Sequence, residues 1–372
     1  MIHALQGLFA CALCLCMSAQ QSEPAAPAAN ATKREPLILL YDDLPDPSDL
    51  VRIRSADAQV WVQVNQDPKS YETGVIDLDV VMKDVQSRTG GYPAQWMMLD
   101  FEEPFFADLA KDPDSPERKR AVASMLSTLR AMKQRWPGSK WTFYGLPNLQ
   151  YWVSPGQGWS TAPQVIKRQA LENASAAVAV LLAECDWVSV SIYDVYDPRM
   201  VIPGNPNSIR GTPESVREDG RAWRIAQVGL AKLLARGKPV IPTVCPFWSP
   251  GGVAPYCRNI SPREFIQDQI MPAMQAGASG FALWTGMNYR IQVVTQPATE
   301  NPAGAREKNF GQIDWRRAFT ADYLGGRSPE NWSDPQIRQR LVASTSRFIA
   351  DTLNNIRAWE RAGIVPPAMP KP

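Results

Sequence analysis

The sequence predicts an α/β fold built on a parallel sheet, and three observations point there. Seven short apolar runs rich in β-branched and aromatic residues, at 37–41, 60–64, 96–101, 141–145, 187–193, 239–244 and 280–284, read as strands. Longer segments of helical period alternate with them, which is the order of a βα barrel or of an open parallel sheet. At 372 residues the chain can bury a full-sized core, either as one large barrel or as two medium domains.

In chain order, residues 1–19 hold an apolar run (Leu8, Phe9, Ala10, Ala12, Leu13, Leu15) too short to span a bilayer but long enough for the centre of a signal peptide. Ser18 and Ala19 supply small residues for cleavage, although no Lys or Arg precedes the run. Phe9-Ala10-Cys11 makes a poor lipoprotein signal because it comes so early, so soluble export, to a secreted, periplasmic or cell-surface location, is expected ahead of a lipid anchor. Residues 20–36, rich in Ala and Pro, cannot bury enough apolar surface to fold and read as a linker. The folded domain is expected over 37–365, with a loose Pro-rich tail at 366–372.

Within the domain, Ser115-Pro116 opens a helix with apolar Val122, Met125, Leu126, Leu129 and Met132, and Pro137-Gly138 stops it. Thr212-Pro213 opens a second, closed by Gly237. Ser261-Pro262-Arg263-Glu264 has the spacing of a capping box ahead of Phe265, Ile266 and Ile270. An amphipathic pattern over 334–363 (Ile337, Leu341, Phe348, Ile349, Leu353, Ile356) predicts a C-terminal helix packed outside the sheet. The aperiodic stretch 288–308 follows the strand carrying Trp284 and is placed to cover the active face.

Composition excludes several chemistries. With 39 Lys+Arg against 37 Asp+Glu the formal charge is +2, so no global field marks nucleic acid or an anionic membrane as a partner, and no later run supports stable membrane insertion. The only histidine is His3, inside the segment expected to be removed. A mature chain without histidine cannot run a Ser-His-Asp or Cys-His mechanism or hold a histidine-ligated zinc, so acid-base work falls to carboxylates or Tyr. No metal and no cofactor is expected. Cys185 reads as a small buried hydrophobe; Cys245 and Cys257 flank a Pro/Gly-rich loop and either pair or remain thiols.

The chemistry concentrates in Trp96-Met97-Met98-Leu99-Asp100-Phe101-Glu102-Glu103, where an apolar strand ends in three carboxylates. Strand geometry puts Met98, Asp100 and Glu102 on one face. With Asp100 ionised, Glu102 would hold its proton to higher pH and serve as general acid. Carboxylates also cap turns or pair with loop arginines, and it is the rest of the face that favours a site. Parity sets Ser189, Ser191 and Tyr193 against Val188, Val190 and Ile192; Thr142 and Tyr144 against Trp141 and Phe143; and Gly280, Ala282 and Trp284 against Phe281 and Leu283. Tyr144, Tyr193 and Trp284 then converge on Asp100 and Glu102, and aromatic walls around carboxylates grip sugar rings. Glu103, Tyr151, Trp152, Tyr196, Phe247, Trp248 and Tyr289 are further cleft candidates, with Asp42, Asp43 and Asp194 as secondary polar contacts.

These segments resemble the hyaluronidase family of glycoside hydrolases. Asp100-Phe101-Glu102-Glu103 is similar to its Asp-Trp-Glu-Glu signature, and the segment from Trp141 to Pro147 to its Trp-Gly-Phe-Tyr-Gly-Phe-Pro. Ser191-Ile192-Tyr193 and the segment from Gly277 to Trp284 resemble two later motifs, in the family's order. The resemblance implies a single distorted (β/α) TIM-type barrel of about seven or eight parallel strands. It also implies a retaining mechanism in which the substrate's acetamido oxygen replaces a protein nucleophile. By position, Glu102 would be general acid and then base, and Asp100 would orient the acetamido group. Tyr144 and Tyr193 would hydrogen-bond that group, and Trp284 would pack on its methyl. Ser191, Glu103, Tyr151, Trp248 and Tyr289 complete the expected substrate-binding set. The sequence departs from the family where Pro104-Phe105-Phe106 replaces Trp-Arg-Pro and where a cysteine near Leu149 and Gln150 is missing. Arg199, Arg210 and Arg290 lie in loops that could meet a polyanion. The expected partner is a glycosaminoglycan or another N-acetylhexosamine polymer. A chitinase- or lysozyme-like hydrolase of the same mechanism and an idle carbohydrate-binding barrel are the alternatives.

Overall fold

In the computed structural model the described residues are 37–41, 59–65, 69–91, 93–153, 157–193, 196, 198, 201, 211–245 and 260–284, with scattered positions between 339 and 356. Among the described residues six strands form one sheet: β1 (Leu37–Tyr41), β2 (Gln59–Asn65), β3 (Trp96–Asp100), β4 (Lys140–Phe143), β5 (Thr243–Val244) and β6 (Gly280–Leu283). Their order is β4-β3-β2-β1-β6-β5, and every pairing is parallel. Parallel neighbours need crossovers, and helices supply them. These are α1 (Ser70–Thr73), α2 (Leu78–Thr89), α3 (Phe105–Leu109), α4 (Pro116–Arg135), α5 (Gln164–Glu184) and α6 (Pro213–Ala235). After β5, α7 (Pro262–Glu264) runs through π-helical turns at Phe265–Ile270 into α8 (Met271–Gln275).

The start signals in the sequence are made by side chains. Ser115 Oγ accepts from Arg118 N at the head of α4, and Thr212 with Ser215 forms a reciprocal cap on α6. Ser261 and Glu264 close the capping box expected before α7. At the C-terminal helix pattern, the described positions Gln339, Ala343, Arg347, Ala350, Asp351, Thr352, Asn354 and Ile356 are helical, and Ala350, Thr352 and Ile356 are buried.

The seventh strand expected, 187–193, forms isolated bridges instead of a regular ladder: Val188 with Val240 and Ser191 with Thr243. The partner run carries Pro239 and Pro242, which have no N–H. Their carbonyls accept from Val188 N (2.9 Å) and Ala282 N (2.9 Å), but Pro242 returns no bond, and only Thr243–Val244 remains regular strand. On its other side the 187–193 run meets β4 through Asp186 N donating to Trp141 O (2.9 Å) and Leu146 N to Ser189 O (3.2 Å). Side chains supplement these links: Trp141 N donates to Asp186 Oδ2 (2.9 Å) and Thr142 Oγ1 to Trp187 O (2.7 Å). Among the described residues no continuous closed ladder is seen.

Parity nonetheless holds around the sheet. Leu39, Trp61, Trp96, Met98, Trp187, Ile241 and Ala282 form one buried cluster, with Tyr144 and Trp284 packed against it. The opposite face of the strands carries Ile38, Val64, Met97, Leu99, Trp141, Phe143, Val188, Val190 and Phe281, all buried.

Candidate active site

The strand that carries the acidic run ends at Asp100. Phe101 falls on the other side and packs near Phe105 and Phe143, with ring centroids 6.2 Å and 6.1 Å away. The chain then turns into α3: Phe106 N donates to Glu102 O (2.9 Å) and Ala107 N to Glu103 Oε2 (3.3 Å). The same-face argument from strand parity therefore holds for Met98 and Asp100 but stops before Glu102, whose position is set by this turn. Glu102 still belongs to the group, because its charge acts on both Asp100 and Tyr144.

Three aromatic side chains stand on the same level. Tyr144 follows β4, with its N–H on Leu99 O (2.8 Å), and Trp284 follows β6, with its N–H on Val244 O (2.9 Å). The Tyr144 and Tyr193 rings lie 6.3 Å apart, and Tyr193 stacks on Trp284 at 5.4 Å and 19°. The Tyr144 hydroxyl is hydrogen-bonded to Ser191 and Tyr193. After Tyr144 the chain must turn sharply, and Gly145 does so at φ 72°; a Cβ there would also lie 3.0 Å from the Phe106 ring.

Asp100 is the electrostatic centre. Its Oδ2 accepts from Gln63 Nε2, whose amide also donates to Asn65 Oδ1 (3.2 Å), while its buried Oδ1 has no hydrogen-bond partner among the described residues. Burial, reinforced by the charge of Glu102, pushes the Asp100 carboxyl from 3.8 up to about 8, against the opposing bond from Gln63. Glu102 reaches solvent, yet its carboxyl is hemmed in enough that desolvation, and then the neighbouring Glu103, raise its pKa as well. Both carboxyls are thus held above their ordinary range, and for Asp100, the deeper group, burial is the first cause. Burial, with the two carboxylates adding, raises the Tyr144 phenol; burial and Tyr144 do the same for Tyr193. Both remain hydrogen-bond donors.

Of the other expected residues, Ser191 reaches the group through Tyr144, and Glu103 lies at the entry to α3. Tyr151 is buried, with its hydroxyl on Val216 O (3.1 Å), and packs against Trp152, Tyr196 and Trp223. That placement gives it a packing environment and commits its hydroxyl to the backbone. Trp248, Tyr289, Phe247, Asp42, Asp43, Asp194, Arg199, Arg210, Arg290 and Cys257 lie outside the described residues, as do residues 1–36, 288–308 and 366–372. Cys185 is buried as expected. Among the described residues no cluster of His, Cys, Asp and Glu is arranged to hold a metal ion, and no helix is long and apolar enough to cross a membrane.

Residues missed in the sequence hold the site in place. Gln63 was legible in principle, since parity from Trp61 puts it on the Asp100 face. Arg224, buried on α6, donates from Nε to Ile192 O (2.9 Å) and from Nη2 to Tyr193 O (3.4 Å). Gln227, one turn later, donates to Pro147 O (2.9 Å) and accepts from Leu149 N (3.0 Å). Gln269, in the π-helical turns, accepts from Cys245 N (3.1 Å) and donates to Cys245 O (2.9 Å). Their signal in the sequence is a polar residue on the apolar stripe of a helix.

No protein-family model matches the chain, and a search of curated proteins finds no match. Among solved structures the chain is similar to bee venom hyaluronidase at 12% identity and TM-score 0.44, over 81% of this chain and 99% of that one. A second bee venom hyaluronidase structure, in complex with a hyaluronic acid tetramer, gives 13% identity and TM-score 0.43 over 74% and 100%. A probable tagatose 6 phosphate kinase from Sinorhizobium meliloti 1021 gives 13% identity and TM-score 0.30 over 89% and 94%. Likenesses this loose, to proteins of unrelated activities, do not define the activity of this chain.

Proposed function

We propose that the chain is an exported glycoside hydrolase, an endo-β-N-acetylhexosaminidase on a distorted barrel whose seventh strand is the 187–193 run. One observation carries the reading: a buried carboxyl, Asp100, kept protonated up to about pH 8, has an oxygen with no partner among the described residues, on a face walled by Tyr144, Tyr193 and Trp284. A folded protein tolerates an unsatisfied buried carboxyl oxygen where a ligand will satisfy it.

In this reading the acetamido oxygen of the sugar attacks C1 as the glycosidic C–O bond breaks, and Glu102 gives its proton to the leaving oxygen. Asp100 accepts the acetamido N–H, and the positive charge developing there favours its ionised form. The proton that rests on Asp100 passes to Glu102, which delivers it to the leaving oxygen, and the proton that Glu102 later takes from water returns to Asp100 as the product leaves. Tyr144 and Tyr193 donate toward the acetamido group, and Trp284 covers its methyl. Water, deprotonated by Glu102, then opens the cyclic intermediate with retention.

The test is Glu102→Gln on the purified full chain, assayed against hyaluronan, chondroitin, chitin and peptidoglycan with product analysis. Hydrolysis of an N-acetylated polymer by the parent and its loss in the variant are expected, with the fold intact. Turnover unchanged in the variant, or equal rates on acetylated and deacetylated polymer, removes the mechanism.

A further inference from the structure

A cavity of about 480 Å³ opens beside the acidic turn, between α3, the 146–153 loop and α5. That size falls in the range of roughly 300–1,000 Å³ that small-ligand sites span. Glu103, the residue after Glu102, stands in its wall, so it adjoins the candidate active site without containing Asp100. Four amides line it, Asn148, Gln150, Gln169 and Asn173, together with the half-buried indole of Trp152. Gln169 Nε2 donates to Asn173 Oδ1 (2.9 Å), which orders two of the amides on one face of α5. Trp152 is fixed by its N–H on the Tyr196 hydroxyl (2.9 Å) and by edge contact with Tyr151 at 5.2 Å.

We infer that this cavity is a second sugar-binding subsite, selective for a neutral, N-acetylated oligosaccharide over one that carries uronates. Each amide offers a donor and an acceptor, the pairing that hydroxyl and acetamido groups require, and the indole gives a flat apolar wall for a ring. Charge supplies the selectivity. The described residues lining the cavity include the Glu103 carboxylate and neither Lys nor Arg, so among them a uronate would meet a like charge and no cation. The subsite narrows the proposed hydrolase to neutral N-acetylhexosamine polymers, and it rests on that reading only for where the cleaved bond lies, since occupancy is measurable without turnover.

The experiment is calorimetric titration of the full chain, in the Glu102→Gln background, with tetra-N-acetylchitotetraose and with a hyaluronan tetrasaccharide. The neutral tetramer is expected to bind at least about tenfold more tightly than the anionic one. Gln169→Ala combined with Asn173→Ala, both exposed on α5 and safe for folding, should weaken the neutral tetramer about tenfold, as should Trp152→Ala. Asn173→Lys should raise affinity for the anionic tetramer in a salt-dependent way. Equal or tighter binding of the anionic tetramer, no binding of the neutral one, or a neutral affinity unmoved by the double substitution would each overturn the inference. Hydrolysis by the parent chain is scored separately. Pocket binding as described without any glycan cleavage sinks the hydrolase and leaves the subsite; cleavage with binding indifferent to the pocket variants does the reverse.

Discussion

The face that carries Asp100 is two different materials along its length. Toward the start of the strands it is dry and aromatic: Trp61, Trp96 and Trp187 are almost wholly buried, with Trp96 and Trp187 edge-on at 5.6 Å. The polar edges of Trp96 and Trp187 are spoken for, Trp96 Nε1 by Gln59 Oε1 (2.8 Å) and Trp187 Nε1 by Lys140 O (3.2 Å). Toward the ends of the strands the same alternation delivers Gln63, Asp100, Tyr144, Tyr193 and Trp284, with one carboxyl oxygen unsatisfied among the described residues. The lower layer excludes water for stability, and that exclusion sets the protonation of the upper layer, because a carboxyl in contact with bulk water would not hold its proton to about pH 8.

Breaking the upper layer should have the largest consequence. Glu102→Gln is expected to cut hydrolysis by about 10²–10⁴-fold or more with unfolding unchanged, read from product formation and a melting curve. Next comes the lower layer: Trp187→Ala should cost about 3–5 kcal/mol in denaturant unfolding, since a fully buried indole leaves a cavity the strands cannot close. Asp100→Asn separates the two layers by pH. A carboxyl whose pKa is raised by folding binds its proton more tightly in the native state, so its contribution to stability is full below about pH 4 and is lost as pH rises toward 8. The variant should therefore match the parent at pH 4 and exceed it at pH 9 by up to roughly 5 kcal/mol, seen as a flatter profile of melting temperature against pH. The smallest effect is Gln227→Ala, about 1–3 kcal/mol, because it strands Leu149 N and Pro147 O in the interior. Any product formation by that variant should fall more than its stability alone explains, since the loop after Tyr144 is what it holds.

How much of this is legible in the sequence depends on whether local chemistry or long-range packing decides it. The helix starts at Ser115, Thr212 and Ser261 are read correctly because each cap is a contact within a few residues. Strand parity reads well too, and it puts Tyr144, Tyr193 and Trp284 on the Asp100 side without any knowledge of the fold. Helix α5 escapes notice because Pro163 caps it with no side-chain bond and Val165, Ile166 and Val180 are exposed, which blurs its stripe. The depth at which Asp100 sits also escapes, since burial has no trace in the spacing Asp-x-Glu. The seventh strand is seen as a segment, but its irregular pairing comes from prolines in a partner about 50 residues away.

Asp100 rests protonated in a desolvated niche. The direct measurement is a carbon-13 NMR titration of aspartate side-chain carboxyls in the full chain, with Asp100→Asn to assign the signal. A carboxyl that titrates near 8, and whose signal is absent in the variant, is the predicted result. An Asp100 carboxyl that titrates near 4, as it would in open water, would contradict it.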